Sequence, residues 1–224
     1  MLRLAPHPGY HRHRLDVHRS LDEGGPLRVL ARHVVLSVPA FVRNLLLAGR
    51  QTPLYRPDYV PWMVTNLHLR DRPPSEGFET AWDNVIVDSE SLGYVVATHQ
   101  SGSSFGPTVW THYRPFTARD ARSERTLLQS LTFEDASTAV IADLARSIPD
   151  LHRFVERVEV LRWGHAMVRP APGTAFSKDR KRACEPIDGI HFAHTDLGGA
   201  ALIEEAVTAG DRAGREILAD RRAG

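Results

Sequence analysis

The sequence predicts an α/β fold in which one layer is interrupted by an antiparallel sheet, and three observations lead to it. An apolar run at Val34, Val35, Leu36 and Val38 stops at Pro39, as a buried strand does where the next residue has no N–H to donate. From Gln51 to Pro115 the texture changes to short runs of β-branched and aromatic residues separated by Asp, Ser, Gly and Pro, the pattern of hairpins. Near the end, "GIHFAHTDLGGAALIEEAVTAGDRAGREIL" passes from a second apolar run through a glycine turn into a long amphipathic helix. This change from buried run to hairpin texture and back places the strands near Val34 to Val38 and Ile190 to Ala193 in one α/β layer. Val35 and Phe192 in separate, non-contacting regions would overturn that expectation.

Each element has its own justification. Residues 1–26 are rich in His, Arg, Gly and Pro and read as a poorly ordered segment with a short strand around Leu15 and Val17. His7, His11, His13 and His18 are of a type that ligates transition metals, but their spacing matches no compact site and they read as solvated. Residues 27–50 form the first part of the α/β layer, with "AFVRNLLLAG" as a short helix closed by Gly49. Residues 51–165 form a domain of antiparallel strands and helices, in which "VIVDSESLGYVVAT" reads as two strands joined by a polar turn. Three of the four tryptophans lie before Pro115, and such rings either fill a core or line a cleft. In "TFEDASTAVIADLARSIPD", Thr132 and Asp135 form an approximate capping box, Ala136, Val140, Ile141 and Leu144 mark the buried face, and Pro149 ends the helix. "FVERVEVLRWGHAMVRPAPG" is a strand running into a Gly and Pro loop, and Lys178 to Arg182 are a solvated basic run.

Residues 166–224 close the layer. Ile190, Phe192 and His194 fall on one side of the strand and His191 and Ala193 on the other. After Asp196, Gly198 and Gly199, a helix beginning near Gly199 carries Ile203, Ala206, Val207, Gly210, Ala213, Gly214 and Ile217 on one face, where Gly210 and Gly214 permit close approach to a neighbouring element. Its free N–H groups suit an anion or an electron-rich ring. Asp196 has two readings: a cap for local N–H groups, or an acceptor for a sugar or ribityl hydroxyl of a cofactor.

Composition narrows the function classes. With 42% hydrophobic residues, 224 residues suffice for one large domain or two small ones. A balance of 28 Lys and Arg against 27 Asp and Glu removes any global reason to expect nucleic acid or an anionic membrane as partner. The single cysteine, Cys184, excludes an intrachain disulfide framework, and the start has no apolar signal core, so the cytoplasm is the expected location. No apolar run approaches the roughly 20 residues that span a bilayer.

The closing stretch resembles the C-terminal flavin-binding segment of the FAD-dependent amine oxidoreductases, the family of monoamine oxidases and desaturase-like enzymes. There a strand ends in a small residue, Thr or Ser, and an acidic residue, followed by a helix with an early Glu; His194, Thr195 and Asp196, then "ALIEEAVTAGDRAGREI", match that pattern here. "ARHVVLSVP" is similar to the strand preceding the family's substrate domain, with Val38 in place of the usual Ala. "WDN", "LGYVVATHQ", "GPTV" and "WGHAMVRPAPG" resemble one branch of these flavoproteins, so that the likeness runs from Leu27 to Leu218. It implies a partial FAD/NAD(P)-binding Rossmann-like layer with an inserted antiparallel-sheet, substrate-like domain, and flavin-mediated hydride removal from a small-molecule substrate. It also implies that Asp196 and Thr195 meet the FAD ribityl or pyrophosphate region, and that the backbone of Ala201, Leu202 and Ile203 faces the flavin pyrimidine edge.

Two departures stand beside the likeness. His194 occupies a position where the family has Gly, and no GxGxxG occurs to hold the ADP pyrophosphate. The expected object is therefore the second half of a flavoprotein: a truncated product, a subunit completed by another chain or a homo-oligomer, or a relic without FAD. Uncovered apolar faces should follow. Flavin oxidation needs an oriented substrate more than an acid–base pair, and His165, Tyr94 and His99 are the catalytic candidates, with His112, Tyr113 and Trp163 nearby in sequence. Cys184 reads as a plain thiol. A non-enzymatic binding or assembly subunit is the alternative. A metal hydrolase using His99, His112, His165, His191, His194 and Asp196 lacks HExxH or comparable spacing, and no metal site is expected.

Overall fold

The computed structural model describes residues 2–6, 13–17, 27–48, 55–75, 77 and 79–223. The chain forms two compact units, one of Met1–Asp58 with Val168–Gly224 and one of Tyr59–Met167.

In the first unit, β1 (Leu2–Pro6), β2 (His13–Val17) and β3 (Leu27–Ala31) make an antiparallel sheet in that order. The strand expected around Leu15 and Val17 is β2, and it pairs on both edges. His7, His11 and His18 lie outside the described residues.

β4 (Val34–Leu36) runs parallel to β10 (Ile190–Phe192), with Val34 opposite Ile190, Val35 opposite His191 and Leu36 opposite Phe192. Val35 and Phe192 thus share one sheet, as the sequence pattern required. Alternation sends Val34, Leu36, Ile190 and Phe192 into a core with Ala40, Leu47, Tyr55, Ala183 and Leu197. Pro39 stands at the N-cap of α1 (Ala40–Leu46), where its fixed φ and missing N–H cost nothing. Gly49, expected to close that helix, lies outside the described residues. α4 (Lys178–Ala183) is capped by the Ser177 side chain.

α5 (Ile203–Ala223) departs from expectation twice. It starts at Ile203 because Thr195–Leu197 form a 3-10 turn and Gly199, at φ 85°, breaks any continuous right-handed path. It also docks through one edge of the expected face, Ala213 and the part-buried Ile217, and not through the whole of it. Ala209 and Ala213 are buried, whereas Ile203 and Val207 are 75% and 67% exposed. The seat is turned toward a polar stripe, because Arg212 donates to the carbonyls of Cys184 and Phe192 at 2.6 Å each.

The second unit is a five-stranded sheet in the order β6-β7-β8-β5-β9. β5 (Tyr59–Leu69) and β8 (Thr108–Pro115) pair antiparallel along eight residue pairs, Trp62↔Pro115 through Leu69↔Thr108. Strict alternation along β5 buries Tyr59, Met63, Thr65, Leu67 and Leu69. β7 (Tyr94–Val96) pairs with β8 on one side and with β6 (Asp83–Asn84) on the other. The first strand of "VIVDSESLGYVVAT" is therefore not a strand: Val85 and Val87 are exposed in the loop, and pairing begins two residues earlier at Asp83. Gly93 explains the tight return, since at φ 92° an added Cβ would lie 1.8 Å from the Asn84 carbonyl oxygen.

α2 (Ala121–Ser130) and α3 (Phe133–Ala145) pack Leu128, Ala136, Val140 and Leu144 into this unit's core. The Thr132/Asp135 capping box is present in both directions. β9 (Val155–Val168) is the long strand expected there. Among the described residues no helix is long and apolar enough to cross a membrane.

Candidate functional site

The turn between β10 and α5 is held from below by side chains of the first unit. Asp196 is 3% exposed, and its Oδ2 accepts from the Ala40 N–H at 2.9 Å. The carboxylate thus caps α1, 156 residues away in sequence. Asp196 N in turn donates to His194 Nδ1 at 3.2 Å. Arg180 spans the turn, donating to Leu197 O at 2.7 Å, Gly198 O at 3.2 Å, Thr174 O at 3.0 Å and Ala175 O at 2.9 Å. This corrects the reading of Lys178 to Arg182 as merely solvated: four carbonyls depend on Arg180. Glu205 folds back over Gly198, where a Cβ would meet its Oε2 at 1.9 Å.

Thr195 is part-buried in the 3-10 turn, Ala201 is part-buried, and Leu202 and Ile203 are exposed. The first turn of α5 offers N–H groups without intrahelical partners. It also carries Glu204 and Glu205, which offset the positive end of the helix. The turn therefore suits an uncharged acceptor, a carbonyl or a hydroxyl, better than a phosphate. A flavin pyrimidine edge or ribityl chain fits that chemistry, and a pyrophosphate does not.

The catalytic candidates of the second unit are not gathered at one point. Tyr94 is buried and stacks on Trp110 with centroids 4.4 Å apart, and burial pushes its phenol above the ordinary pKa. It lines a cavity of about 430 Å³ with Glu79, Asn84, Ile148 and Phe154. His99 lines a neighbouring cavity of about 370 Å³ with Arg72, Ser103 and Trp110, and the two share Pro73, Ser75, Glu79 and Thr80. His165 lines neither. It sits on β9 edge-on to Tyr59, 5.6 Å between centroids, with its pKa lowered by burial and by Arg125. Tyr113 donates to Asp83 Oδ1 at 2.6 Å and stacks on Trp62, and Trp163 is exposed.

One constellation escaped the sequence reading. His112 Nε2 lies 3.1 Å from Asp143 Oδ2, which also accepts from Ser89 Oγ at 2.8 Å and Ser91 Oγ at 2.7 Å. They border a cavity of about 240 Å³. Burial lowers the His112 pKa, against the opposing pull of Asp143. Burial alone would raise the Asp143 pKa, but hydrogen bonds from Ser89, Ser91 and His112 bring it below the ordinary value. Both hydroxyls donate to the carboxylate and neither to the imidazole, so no serine is activated as a nucleophile. Only the register of β8 and the phase of α3, not any local motif, could have foretold this meeting.

Cys184 is a free, half-buried thiol whose pKa is raised by burial, which keeps it protonated and poorly nucleophilic. Among the described residues, no three of His99, His112, His165, His191, His194 and Asp196 gather at ligand distance.

No protein-family model matches the chain, and no curated protein sequence does. Solved structures do. A putrescine oxidase variant from a redesign of cofactor binding matches with a TM-score of 0.67 at 15% identity, over 98% of this chain and 48% of that one. Wild-type putrescine oxidase bound to putrescine gives 0.61 at 16% identity, over 97% and 47%. Cyclohexylamine oxidase from Brevibacterium oxydans IH-35A gives 0.61 at 14% identity, over 99% and 48%. Almost the whole chain is thus matched, while it spans about half the length of each relative. The chain shares its fold with about half of an amine-oxidase chain.

Proposed function

We propose that this chain is the C-terminal half of a flavin-linked, amine-oxidase-like oxidoreductase, and that its turn from Thr195 to Ile203 is its contribution to the cofactor cradle. The observation that carries the reading is the parallel β4–β10 pair leading through an anchored glycine turn into α5. Parallel strands are normally buried within larger sheets, yet among the described residues this sheet has only two. Leu202, Ile203 and Val207, at the start of α5 in the same unit, are exposed apolar side chains. The missing strands and the glycine-rich pyrophosphate turn are assigned to polypeptide outside this sequence.

Within the cradle, the backbone of Ala201, Leu202 and Ile203 offers N–H groups to a ring carbonyl, and Thr195 offers a hydroxyl. Asp196 holds the turn against α1, and Arg180 fixes the carbonyls beneath it. Bound there, FAD supplies a ring that accepts hydride from the substrate carbon. The second unit is the substrate side, with Tyr94 and His99 on adjoining cavities as the candidates for contact. One observation favours the other reading, a non-enzymatic assembly subunit of the same lineage: His165 does not join Tyr94 and His99 at either cavity.

Co-expression with a complementary half carrying GxGxxG, drawn from the same fold, separates the two. The oxidoreductase reading expects a stable complex that is yellow and releases one FAD per complex on denaturation, whereas the chain alone binds FAD weakly. A colourless complex that takes up no added FAD supports the assembly subunit and overturns the flavin assignment.

A further inference from the structure

His33, from the connection between β3 and β4, His191 on β10 and Asp220 near the end of α5 bring three donor atoms within 4.8 Å of one another. His33 Nδ1 is 3.3 Å from His191 Nε2, and Asp220 Oδ2 is 3.9 Å from the same nitrogen. The rings are tilted by 45° with centroids 5.5 Å apart, so they meet through nitrogens and not through faces. His191 is fully buried, while the Asp220 side chain is 56% exposed, leaving one side open to water.

The far side of His191 is fixed. Its Nδ1 lies 2.9 Å from Glu216 Oε2, and an ionised carboxylate only accepts, so Nδ1 carries the proton. In the neutral ring, Nε2 then presents a bare lone pair toward His33. Glu216 is itself held by Arg212 through Oε1 at 2.8 Å. A carboxylate on the outer nitrogen is the arrangement that orients metal-binding histidines. A direct His33–His191 hydrogen bond is the competing account, and 3.3 Å is long for it. Two nitrogens on a tetrahedral ion with bonds of about 2.0–2.1 Å stand about 3.3–3.4 Å apart.

We propose that His33, His191 and Asp220 bind a divalent transition-metal ion of the zinc class, with Glu216 as the residue that positions His191. Two imidazoles and one carboxylate select against magnesium and calcium, which take oxygen ligands. Three protein ligands leave a coordination position for water or a ligand. Occupancy ties the end of α5 to the β4–β10 pair, so the ion stabilises this unit.

Zn²⁺ is titrated against a chromogenic chelator with the purified chain, and Co²⁺ is followed by its visible d–d bands. A second chain has His7, His11, His13 and His18 all replaced by Gln, which removes the histidine-rich start as a source of binding. Because His191 is buried, the test rests on His33→Ala and Asp220→Ala at accessible positions, each checked for an unchanged circular dichroism spectrum. The expected result is one equivalent of Zn²⁺, retained after the four Gln replacements. Affinity falls by roughly 100-fold or more in His33→Ala and by about 10- to 100-fold in Glu216→Gln. Absence of stoichiometric binding, wild-type affinity in both His33→Ala and Asp220→Ala, or loss of binding with the four N-terminal histidines overturns the proposal.

Discussion

Asp196→Ala deletes the carboxylate oxygen that lies 2.9 Å from the Ala40 N–H. Both ends are buried, with Ala40 at 2% exposure and Asp196 at 3%, so water does not replace the lost acceptor freely. A hydrogen bond to a charged group contributes about 1.5–3 kcal/mol, and loss of a helix N-cap costs about 0.5–2 kcal/mol. These describe one bond seen two ways and are not summed, which leaves about 2 kcal/mol, or roughly a 30-fold change in a local opening equilibrium. All four tryptophans, Trp62, Trp82, Trp110 and Trp163, lie in the other unit, so tryptophan fluorescence is blind to this change. Hydrogen exchange read by mass spectrometry on peptides covering residues 40–47 reports it directly. Asp196→Asn keeps an oxygen acceptor and should recover most of the protection. If exchange in α1 is the same in Asp196→Ala as in the wild type, the carboxylate does not cap that helix, and the turn has lost the anchor assigned to it.

Two further outcomes follow from the structure. The His112 pKa is depressed by burial, so the unfolded imidazole, near 6.5, takes up a proton before the folded one does. The stability of the second unit is therefore complete above about pH 6.5 and falls below it by up to about 1.4 kcal/mol per pH unit, whereas Asp143 contributes its loss only lower, as pH drops through its own depressed pKa. Urea midpoints by tryptophan fluorescence between about pH 7.5 and 5.5 should show this slope in the wild type and lose it in His112→Gln; an unaltered slope assigns the effect elsewhere. On α5, Gly210 and Gly214 have no atom within 4 Å of an added Cβ, so each Gly→Ala replacement should stabilise the isolated chain by about 0.5–1 kcal/mol by chemical denaturation. The same replacements should weaken association with the complementary half, and equal association would show that nothing approaches that face.

What was legible in the sequence was the local physics. Val34 to Pro39 and Ile190 to Phe192 announced buried strands, and their pairing followed from the texture change between them. Thr132 and Asp135 announced a helix start because both halves of a capping box lie within one turn. What stayed hidden depended on partners far along the chain. Asp196 reaches Ala40 across 156 residues, and His33 meets His191 across 158, because the parallel pairing lays the end of β10 beside the start of α1. His112 meets Asp143 only once the β8 register and the α3 phase are known. Arg180 looked like one charge in a basic run, and only a folded turn has four carbonyls converging on it.

The partly covered face of α5 is informative in itself. The pattern places Ile203, Ala206, Val207, Gly210, Ala213, Gly214 and Ile217 on one face, and periodicity of that kind reports where a helix is built to be covered. The helix seats on one edge of that face, Ala213 with the part-buried Ile217, and on Ala209 beside it, with Arg212 and Glu216 bonded beneath. The two stripes differ in what they meet within the unit. The polar stripe is satisfied within the unit by the carbonyls of Cys184 and Phe192 and by His191. The apolar stripe is not, and its two glycines together cost a solvent-facing helix about 1–2 kcal/mol relative to alanine. Such a cost is offset when a backbone or a flat ring comes closer than a methyl group allows. We propose that a helix with one satisfied stripe and one glycine-marked apolar stripe, beside a parallel sheet that has two strands among the described residues, is an internal layer of a larger body. That conclusion rests on the chain's own surface, and it agrees with a likeness that covers nearly all of this chain but only about half of each oxidase.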